Sequence, residues 1–318
     1  MSGTPEPADS PAHARYRQAQ SRVLERHGSP ALSRFVLLES LHIRAHVLEA
    51  GAGPPMLLLH GGGATAALWG PLLGSLHRSF RIFAPDRPGC GLTGPFNYQG
   101  VPFRRHAVDF TRSILDALEL PQATLVGNSM GGFFSIAFAM AYPERVDRLV
   151  LVGAPTGLDR RVPAAIGLLA TPGLNRLLYA TVLRPSPKSI RDGLRQLGVT
   201  HVERLTPEDL ECALLGWQLP GAVSSWLGML EQAFTPRAAL RPDLYLRDEL
   251  AGLEVPTLFV WGDRDASAQP SSGQRAAETM LNARIEVVQD AGHYAWLDAP
   301  DQCRELIASF AGSSSDSR

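Results

Sequence analysis

Lysine is nearly absent from this sequence: among 318 residues the only one is Lys188. A lysine that forms a Schiff base, or one that binds a nucleotide phosphate, would therefore have to be this residue. Lys188 ends the segment Arg184-Pro-Ser-Pro-Lys188 and has no glycine-rich loop before it. The sequence thus argues against both chemistries.

Cysteine is also scarce. The three cysteines, Cys90, Cys212 and Cys303, lie far apart in the chain, and no C-x-x-C pair occurs. This spacing suits neither a disulfide framework nor a zinc site, so we expect free thiols in a reducing compartment.

Neither sign of charge is in excess, and no apolar run is long. The chain has 30 basic and 31 acidic side chains, a net charge of −1, which argues against a nucleic-acid partner because such binding needs clustered cations. The most apolar stretch, residues 131–141, is shorter than the ~20 residues that cross a bilayer. The first residues lack the pattern of a signal peptide. We therefore expect a cytoplasmic protein without a membrane span, and the sequence leaves a homodimer open.

What the sequence does contain is a regular alternation of two patterns. Short apolar runs bounded by glycine or polar residues indicate buried parallel strands, and segments with helical period lie between them. Two earlier runs, 35–38 and 42–48, predict an antiparallel hairpin. The predicted strands are 56–59, 81–84, 123–126, 149–152, 257–260 and 285–288, and the predicted helices are 66–77, 104–119, 130–142, 272–281 and 301–310. This order predicts an α/β fold with helices on both faces of a mostly parallel sheet.

Residues 156–250 interrupt the alternation. They hold helix-like pieces separated by prolines and no convincing strand, which indicates a helical insertion rather than a loop of that length. Their apolar side chains exceed what a small core needs, so we interpret the segment as a cap over a pocket. The predicted organisation is an N-terminal tail and short helix (1–30, the helix over 16–27), a core in two parts (31–155 and 251–311), the cap (156–250) and a disordered tail (312–318). Residues 1–12 are also predicted to be disordered.

The segment Gly127-Asn-Ser-Met-Gly131 follows a predicted strand and precedes a predicted helix. This is the context that the G-x-S-x-G nucleophile elbow requires, because the sharp turn leaves no room for Cβ atoms beside Ser129. The serine then lies at a helix N-terminus, where free N–H groups favour developing negative charge. The alternative interpretation is a glycine-rich turn whose serine only caps the helix.

A second glycine-rich loop, His60-Gly-Gly-Gly63, follows the predicted strand 56–59. Loops of this type supply the second donor of an oxyanion hole, because only glycines let the backbone approach one oxygen that closely. We expect the donors to be the N–H groups of Met130 and Gly62, with Gly61 or Gly63 as alternatives to Gly62. A phosphate-binding turn is disfavoured because G-x-G-x-x-G is absent.

A serine nucleophile needs a base, and the sequence offers nine histidines. His293 follows the last predicted strand, in a loop at the sheet edge where active sites of α/β folds lie, so we assign it as the base. His60 occupies a similar loop but is expected to shape the oxyanion loop. For the orienting acid, Asp265 and Asp263 compete in the turn after strand 257–260; we favour Asp265 because it lies deeper in the turn, whereas Asp263 would hold the loop or pair with Arg264.

These motifs together resemble the α/β-hydrolase superfamily over residues 33–310. The motifs that carry the resemblance are His60-Gly-Gly62, Asp86-Arg-Pro-Gly-Cys-Gly91, the elbow around Ser129, Gly262-Asp-Arg-Asp265 and Gly292-His293. The resemblance implies an eight-stranded, mostly parallel sheet, a helical cap inserted after the sixth strand, and a Ser–His–Asp triad. It implies neither a metal nor an organic cofactor.

Within that superfamily the elbow looks most like that of the meta-cleavage-product hydrolases, which cut carbon–carbon bonds in vinylogous diketo acids. Asn128 matches their elbow asparagine. Two features depart from that family: Tyr294 stands where a tryptophan is typical, and no arginine stands near Ala213 or Leu214, where the family's carboxylate-binding arginine is expected. The cap arginines that could replace it are Arg184, Arg191, Arg195 and Arg204.

The first functional hypothesis is therefore a serine hydrolase that cleaves an ester-type bond of a small hydrophobic substrate through an acyl-enzyme. The alternative is a C–C bond hydrolase of the meta-cleavage type, and an alternative of another class is a ligand-binding receptor with weak hydrolysis. The expected substrate-binding residues are Asn128, Gly61, Trp217, Trp226 and Tyr294.

Overall fold

A computed structural model of the protein describes residues 10–312. The first helix, α1, is Pro11–Arg26; the side chain of Ser10 caps it by accepting a hydrogen bond from the His13 N–H. The sequence pattern predicted this helix only from residue 16. The helix begins earlier because Ser10 serves as its N-cap and Pro11 is well suited to its first position. Residues 11, 12 and 312, which were predicted to be disordered, are helical; the remaining residues of those two tails, apart from residue 10, lie outside the described part.

Eight strands form one sheet, and every predicted strand is part of it. The strands are β1 Leu32–Leu38, β2 Ile43–Ala50, β3 Pro55–Leu59, β4 Arg81–Pro85, β5 Ala123–Asn128, β6 Val146–Val152, β9 Thr257–Gly262 and β10 Ala283–Val288. Their spatial order is β1-β2-β4-β3-β5-β6-β9-β10; β2 is antiparallel to β1 and β4, and all other neighbours are parallel. The predicted fold class, an eight-stranded mostly parallel sheet, is thereby confirmed.

Helices cover both faces of the sheet. They are α2 Gly70–Leu76, α3 Phe103–Ala117, α4 Met130–Ala141, α10 Pro270–Thr279, α11 Ala295–Asp298 and α12 Pro300–Gly312. On one face α3 and α4 pack a cluster of phenylalanines against the strands; α4 is apolar on all sides and almost wholly buried, as expected of a helix inside a core. On the other face Trp69 and Trp296 stack with ring centroids 4.2 Å apart.

The segment between β6 and β9 is mainly helical. It contains α5 Ala164–Leu169, α6 Leu174–Thr181, α7 Pro187–Gln196, α8 Pro207–Gln218 and α9 Ala222–Ala233, together with two short strands that the sequence did not predict, β7 Phe234–Thr235 and β8 Ala239–Leu240. Helix α1 packs against α8, where Tyr16 and Cys212 are buried in one cluster and His27 Nε2 lies 2.9 Å from Asp209 Oδ1. The N-terminal helix therefore ties the cap to the core.

The apolar helices of this fold belong to its core. Among residues 10–312, none of the helices combines the length and the hydropathy that a bilayer crossing needs.

His106, on α3, lies in an aromatic enclosure. Its ring centroid is 4.9 Å from that of Phe96, 5.6 Å from Tyr98 and 6.0 Å from Phe134, and 6% of the residue is exposed. Burial, reinforced by the nearby Arg87 cation, lowers the pKa of His106 to about 4. The folded protein thus holds this imidazole neutral at pH values where the unfolded chain protonates it.

We predict that His106 makes the fold sensitive to acid. Its folded-state pKa is lowered, so its contribution to stability is complete above about pH 6.5 and is lost as the pH falls toward 4. Between about pH 7 and pH 4.5 this amounts to about 2 kcal/mol. Urea unfolding of His106→Phe should show a smaller acid loss than the wild type. The control His42→Asn, at an exposed histidine, should keep the wild-type pH dependence of unfolding. If acid lowered the stability of His106→Phe as much as that of the wild type, His106 would not be the source of the acid sensitivity.

Candidate active site

The elbow is formed where β5 ends and α4 begins. Ser129 lies between them with φ 52° and ψ −115°, a sparsely populated conformation for a non-glycine residue that costs about 1–3 kcal/mol. The turn is possible because Gly131 packs directly on the Leu59 carbonyl, where any Cβ would overlap it. The strained backbone of Ser129, together with the glycine that follows at position 131, places Ser129 at the edge of the sheet.

The loop after β3 lies against this elbow. A Cβ added at Gly61 would lie 3.2 Å from the Ser129 Cβ, and Cβ atoms at Gly62 or Gly63 would overlap the indoles of Trp226 or Trp217. The loop therefore fits only as glycines, between Ser129 on one side and the two tryptophans on the other. Gly62 and Met130, the residues predicted to donate to an oxyanion, both line the cavity beside it.

Asp265 and His293 lie together, on the loops after β9 and β10. His293 Nδ1 lies 2.9 Å from Asp265 Oδ2 and 3.0 Å from Oδ1. The carboxylate also accepts the N–H groups of Ala154 and Ser267, each at 2.8 Å. Because Nδ1–H donates to the carboxylate, the Nε2 lone pair of His293 is the one left to take a proton.

Asp263 does not contact His293. It accepts the Ala291 N–H at 3.2 Å and so holds the loop that carries the histidine. Arg264, expected as its alternative partner, instead pairs with Asp290 at 2.7 Å. The geometry thus favours Asp265 over Asp263 as the residue that orients the imidazole.

Asn128 is wholly buried and turned away from the cavity. Its Nδ2 donates to the carbonyl oxygens of Val152 at 2.7 Å and of His293 at 3.0 Å. These hydrogen bonds tie the elbow to the loop that carries His293; contact of Asn128 with a substrate stays a prediction.

A cavity of about 750 Å³ lies between the sheet edge and the cap. Ser129 and His293 both line it, and so do Gly62, Met130 and three of the predicted substrate-binding residues, Trp217, Trp226 and Tyr294. Asn128 and Gly61 are not on its wall. The cap supplies most of the apolar lining, including Leu168, Tyr179, Met229 and Phe234.

Buried polar groups lie behind the glycine loop; of these, sequence reasoning gave a role only to His60, which was expected to shape the loop. Asp86 and His46 form a fully buried pair at 2.7 Å; although burial alone would raise the pKa of the Asp86 carboxyl, His46 and backbone N–H groups hold it below its usual value. Burial, reinforced by the Arg87 cation, lowers the pKa of His60 to about 3. A neutral His60 whose Nε2 accepts the Arg87 N–H is not available as a base.

The comparison with protein families agrees with this geometry. A sequence model of the alpha/beta hydrolase fold matches residues 54–300, more than half of the chain. The chain belongs to the α/β-hydrolase fold family.

Similar proteins of this hydrolase family include enzymes named for meta-cleavage products. A 2-hydroxymuconate semialdehyde hydrolase of Pseudomonas sp. strain CF600 is 30% identical over 291 residues, which cover 89% of this chain and 94% of the relative. A 2-hydroxy-6-oxononadienedioate/2-hydroxy-6-oxononatrienedioate hydrolase of Paraburkholderia phymatum is 29% identical over 293 residues, 90% of this chain and 98% of the relative. This α/β-hydrolase is therefore close to the C–C hydrolases.

Solved structures show the same fold. A meta-cleavage product hydrolase of Pseudomonas fluorescens IP01 superposes with a TM-score of 0.73 at 28% identity, covering 89% of this chain and 99% of the other. A carboxylesterase of Bacillus subtilis superposes with a TM-score of 0.73 at 22% identity, covering 96% and 100%. At that identity the second likeness concerns the fold alone.

Three cationic side chains lie on the wall of the cavity of this hydrolase: Arg161, Arg184 and Lys188. Of the four cap arginines considered from the sequence, Arg184 is on this wall, whereas Arg191, Arg195 and Arg204 are not. The sequence did not predict that Arg161 and Lys188 line the cavity, because no motif surrounds either residue. Among residues 10–312, no group of three or more His, Cys, Asp or Glu side chains is placed to hold a metal ion.

We predict different outcomes for the two aspartates of the β9 loop. Asp265→Asn should lower kcat by at least about 10³-fold, because it removes the acceptor that fixes the His293 tautomer. Asp263→Asn, the matched control two residues away, should stay within about tenfold of the wild type. Steady-state turnover of a p-nitrophenyl ester checks both variants, and the reverse ranking would assign the orienting role to Asp263.

Proposed function

We propose that this α/β-hydrolase cleaves a carbon–carbon bond of a vinylogous diketo acid, the reaction type of the meta-cleavage-product hydrolases. The observation that carries the proposal is the juxtaposition of an Asn128-Ser129-Met130 elbow with a paired Asp265 and His293, in a chain whose similarity to such enzymes extends over about nine-tenths of its length. This support favours the C–C bond over the ester bond, the hypothesis placed first from the sequence.

The site offers the groups that such a reaction needs. Ser129 Oγ adds to the substrate ketone as His293 Nε2 takes its proton, and the N–H groups of Gly62 and Met130 hold the oxyanion. Asp265 stabilises the imidazolium that forms. Ser129, His293, Gly62 and Met130 line one largely apolar cavity, where fixed donors act more strongly than in water.

Bond cleavage then follows from collapse of the oxyanion. The bond between the former ketone carbon and its neighbour breaks, and its electron pair passes to a carbon conjugated with the remote keto acid. The proton on His293 is transferred to that carbon, and water hydrolyses the acyl-serine. The balance is one water consumed, one carboxylic acid formed from the ketone side and one protonated carbon on the other fragment.

The acidic end of the substrate needs a cation. Ala213, near the position where the meta-cleavage-product hydrolases have their arginine, lines the cavity as a small apolar residue. Arg161 and Arg184 both line this cavity, and both residues are exposed. We assign the carboxylate of the substrate to these two guanidinium groups.

Ester hydrolysis is the second candidate. The observation that favours it is the same absence of an arginine beside Ala213, since a neutral ester needs no cation in the pocket. The nucleophile, base and oxyanion donors would do the same work on an ester carbonyl. The two candidates therefore differ in the leaving group and not in the catalytic residues.

We predict that the purified protein turns over a coloured 2-hydroxy-6-oxo dienoate with a kcat/KM at least about tenfold above that of p-nitrophenyl esters. Bleaching of the dienoate and release of nitrophenolate give the two rates. Ser129→Ala should lose at least about 10³-fold on either substrate, and Ser75→Ala, away from the cavity, should lose nothing.

Three other outcomes would each have a clear meaning. A higher kcat/KM for esters would make the protein an esterase. Undiminished turnover in Ser129→Ala would remove the serine from its role. Covalent labelling of Ser129 by a fluorophosphonate without turnover of any substrate in the panel would favour a receptor.

We predict that Arg161 and Arg184 set the affinity for acidic substrates. Arg161→Gln and Arg184→Gln should each raise KM for the dienoate about three- to tenfold, with little change for a neutral ester, because the lost attraction is electrostatic and partly screened by solvent. Lys188→Gln is the matched control, since its ammonium is exposed and already paired with Asp192 at 2.8 Å. If Arg161→Gln and Arg184→Gln had the same KM for the dienoate as Lys188→Gln, these arginines would be excluded as the carboxylate site.

A further inference from the structure

The peptide unit between Gly61 and Gly62 is held from one side by two buried side chains. Its oxygen, the Gly61 carbonyl, accepts hydrogen bonds from Arg87 Nη2 at 2.8 Å and from His60 Nδ1 at 2.8 Å. A trans peptide unit is planar, so its N–H points away from its C=O. Fixing this oxygen therefore fixes the direction of the Gly62 N–H, the proposed oxyanion donor.

Further contacts hold Arg87 in place. Its Nε donates to the His60 carbonyl at 2.9 Å, its backbone N–H donates to His60 Nε2 at 3.0 Å, and its guanidinium lies over the Phe134 ring at 5.1 Å. The residue is fully buried. These contacts also fix the His60 tautomer, because a nitrogen that accepts the Arg87 N–H leaves Nδ1 as the donor to Gly61.

The charge of Arg87 is directed at backbone oxygens. No carboxylate of residues 10–312 forms an ion pair with it; its polar partners are the two loop carbonyls and the Met229 sulfur. The neighbouring Asp86 is already occupied by His46 and by the N–H groups of Ala66 and Leu92. Burying a cation without a carboxylate costs folding free energy, which is expected where the cation serves a site.

We propose that Arg87 is a positioning residue that, together with His60, orients and polarises the Gly61–Gly62 peptide so that its N–H binds the reaction oxyanion. Charge-assisted hydrogen bonds are the stronger ones, and hydrogen bonds in series polarise one another. The inference rests on the proposed function only in requiring an oxyanion at Ser129. It holds for a ketone and for an ester, because both give the same kind of anion.

The test compares kcat, KM and the affinity of two inhibitors in Arg87→Met. We expect kcat to fall about 10- to 100-fold, less than or comparable to the loss of a whole oxyanion donor, with KM within about threefold. Affinity for a trifluoromethyl ketone, which forms an anionic adduct with the serine, should fall by the same factor as kcat/KM. Affinity for the corresponding alcohol, which forms no anion, should stay unchanged, whereas a merely structural role would weaken both.

The matched control is Arg148→Met, which removes another buried arginine that packs on a ring, Phe310, at 5.6 Å; it should keep the wild-type kcat. Arg87→Lys retains the charge but not the fork of donors, and it should lose about tenfold in kcat; it decides the question if Arg87→Met does not fold.

Two results would overturn the proposal: a folded Arg87→Met or Arg87→Lys with kcat within twofold of the wild type, or a parallel loss of affinity for both inhibitors. Full activity of Ser129→Ala would instead overturn the proposed function, so the two failures are distinguishable.

Discussion

At the carboxyl ends of β3 and β5 two backbones touch, and the proposed chemistry depends on that contact. Gly131 packs on the Leu59 carbonyl and Gly61 on Ser129, at distances that a side chain on either glycine would prevent. The elbow and the glycine loop are therefore packed directly against each other. Preorganisation of this kind is where enzymes of acyl transfer obtain much of their rate, because the donors need not rearrange when charge develops.

Behind that unit lies a layer of buried polar residues that the fold must accommodate. The Asp86 carboxylate joins β2, the start of the Ala66 turn and the Leu92 turn through His46 and two N–H groups, while the next residue, Arg87, turns to the glycine loop. Each group is expensive to bury and each is satisfied by partners from distant segments. The layer converts a glycine loop, which is flexible by nature, into a fixed wall of the cavity.

The cap forms the other wall of the cavity. The indoles of Trp217 and Trp226 pack on the glycine loop and line the cavity together with Tyr179 and Met229. Helix α1 fastens this cap to the core through the Tyr16 cluster and the His27–Asp209 contact. We propose that the choice between a diketo acid and an ester depends on this wall, because the proposed catalytic residues would act on either substrate.

The alternation of apolar runs and helical segments predicted every strand of the large sheet, and the elbow, the glycine loop and the His293 loop were each recognisable within a few consecutive residues. Position in the turn favoured Asp265 over Asp263, and the tertiary structure shows Asp265 beside the imidazole. Tertiary structure alone decided that Asn128 donates to the His293 carbonyl and that Arg87 lies against the glycine loop. Strands, helices and glycine turns follow from short-range sterics and periodic burial, which neighbouring residues carry. The direction of a side chain within a turn depends on segments that arrive from far along the chain, and no local pattern records them.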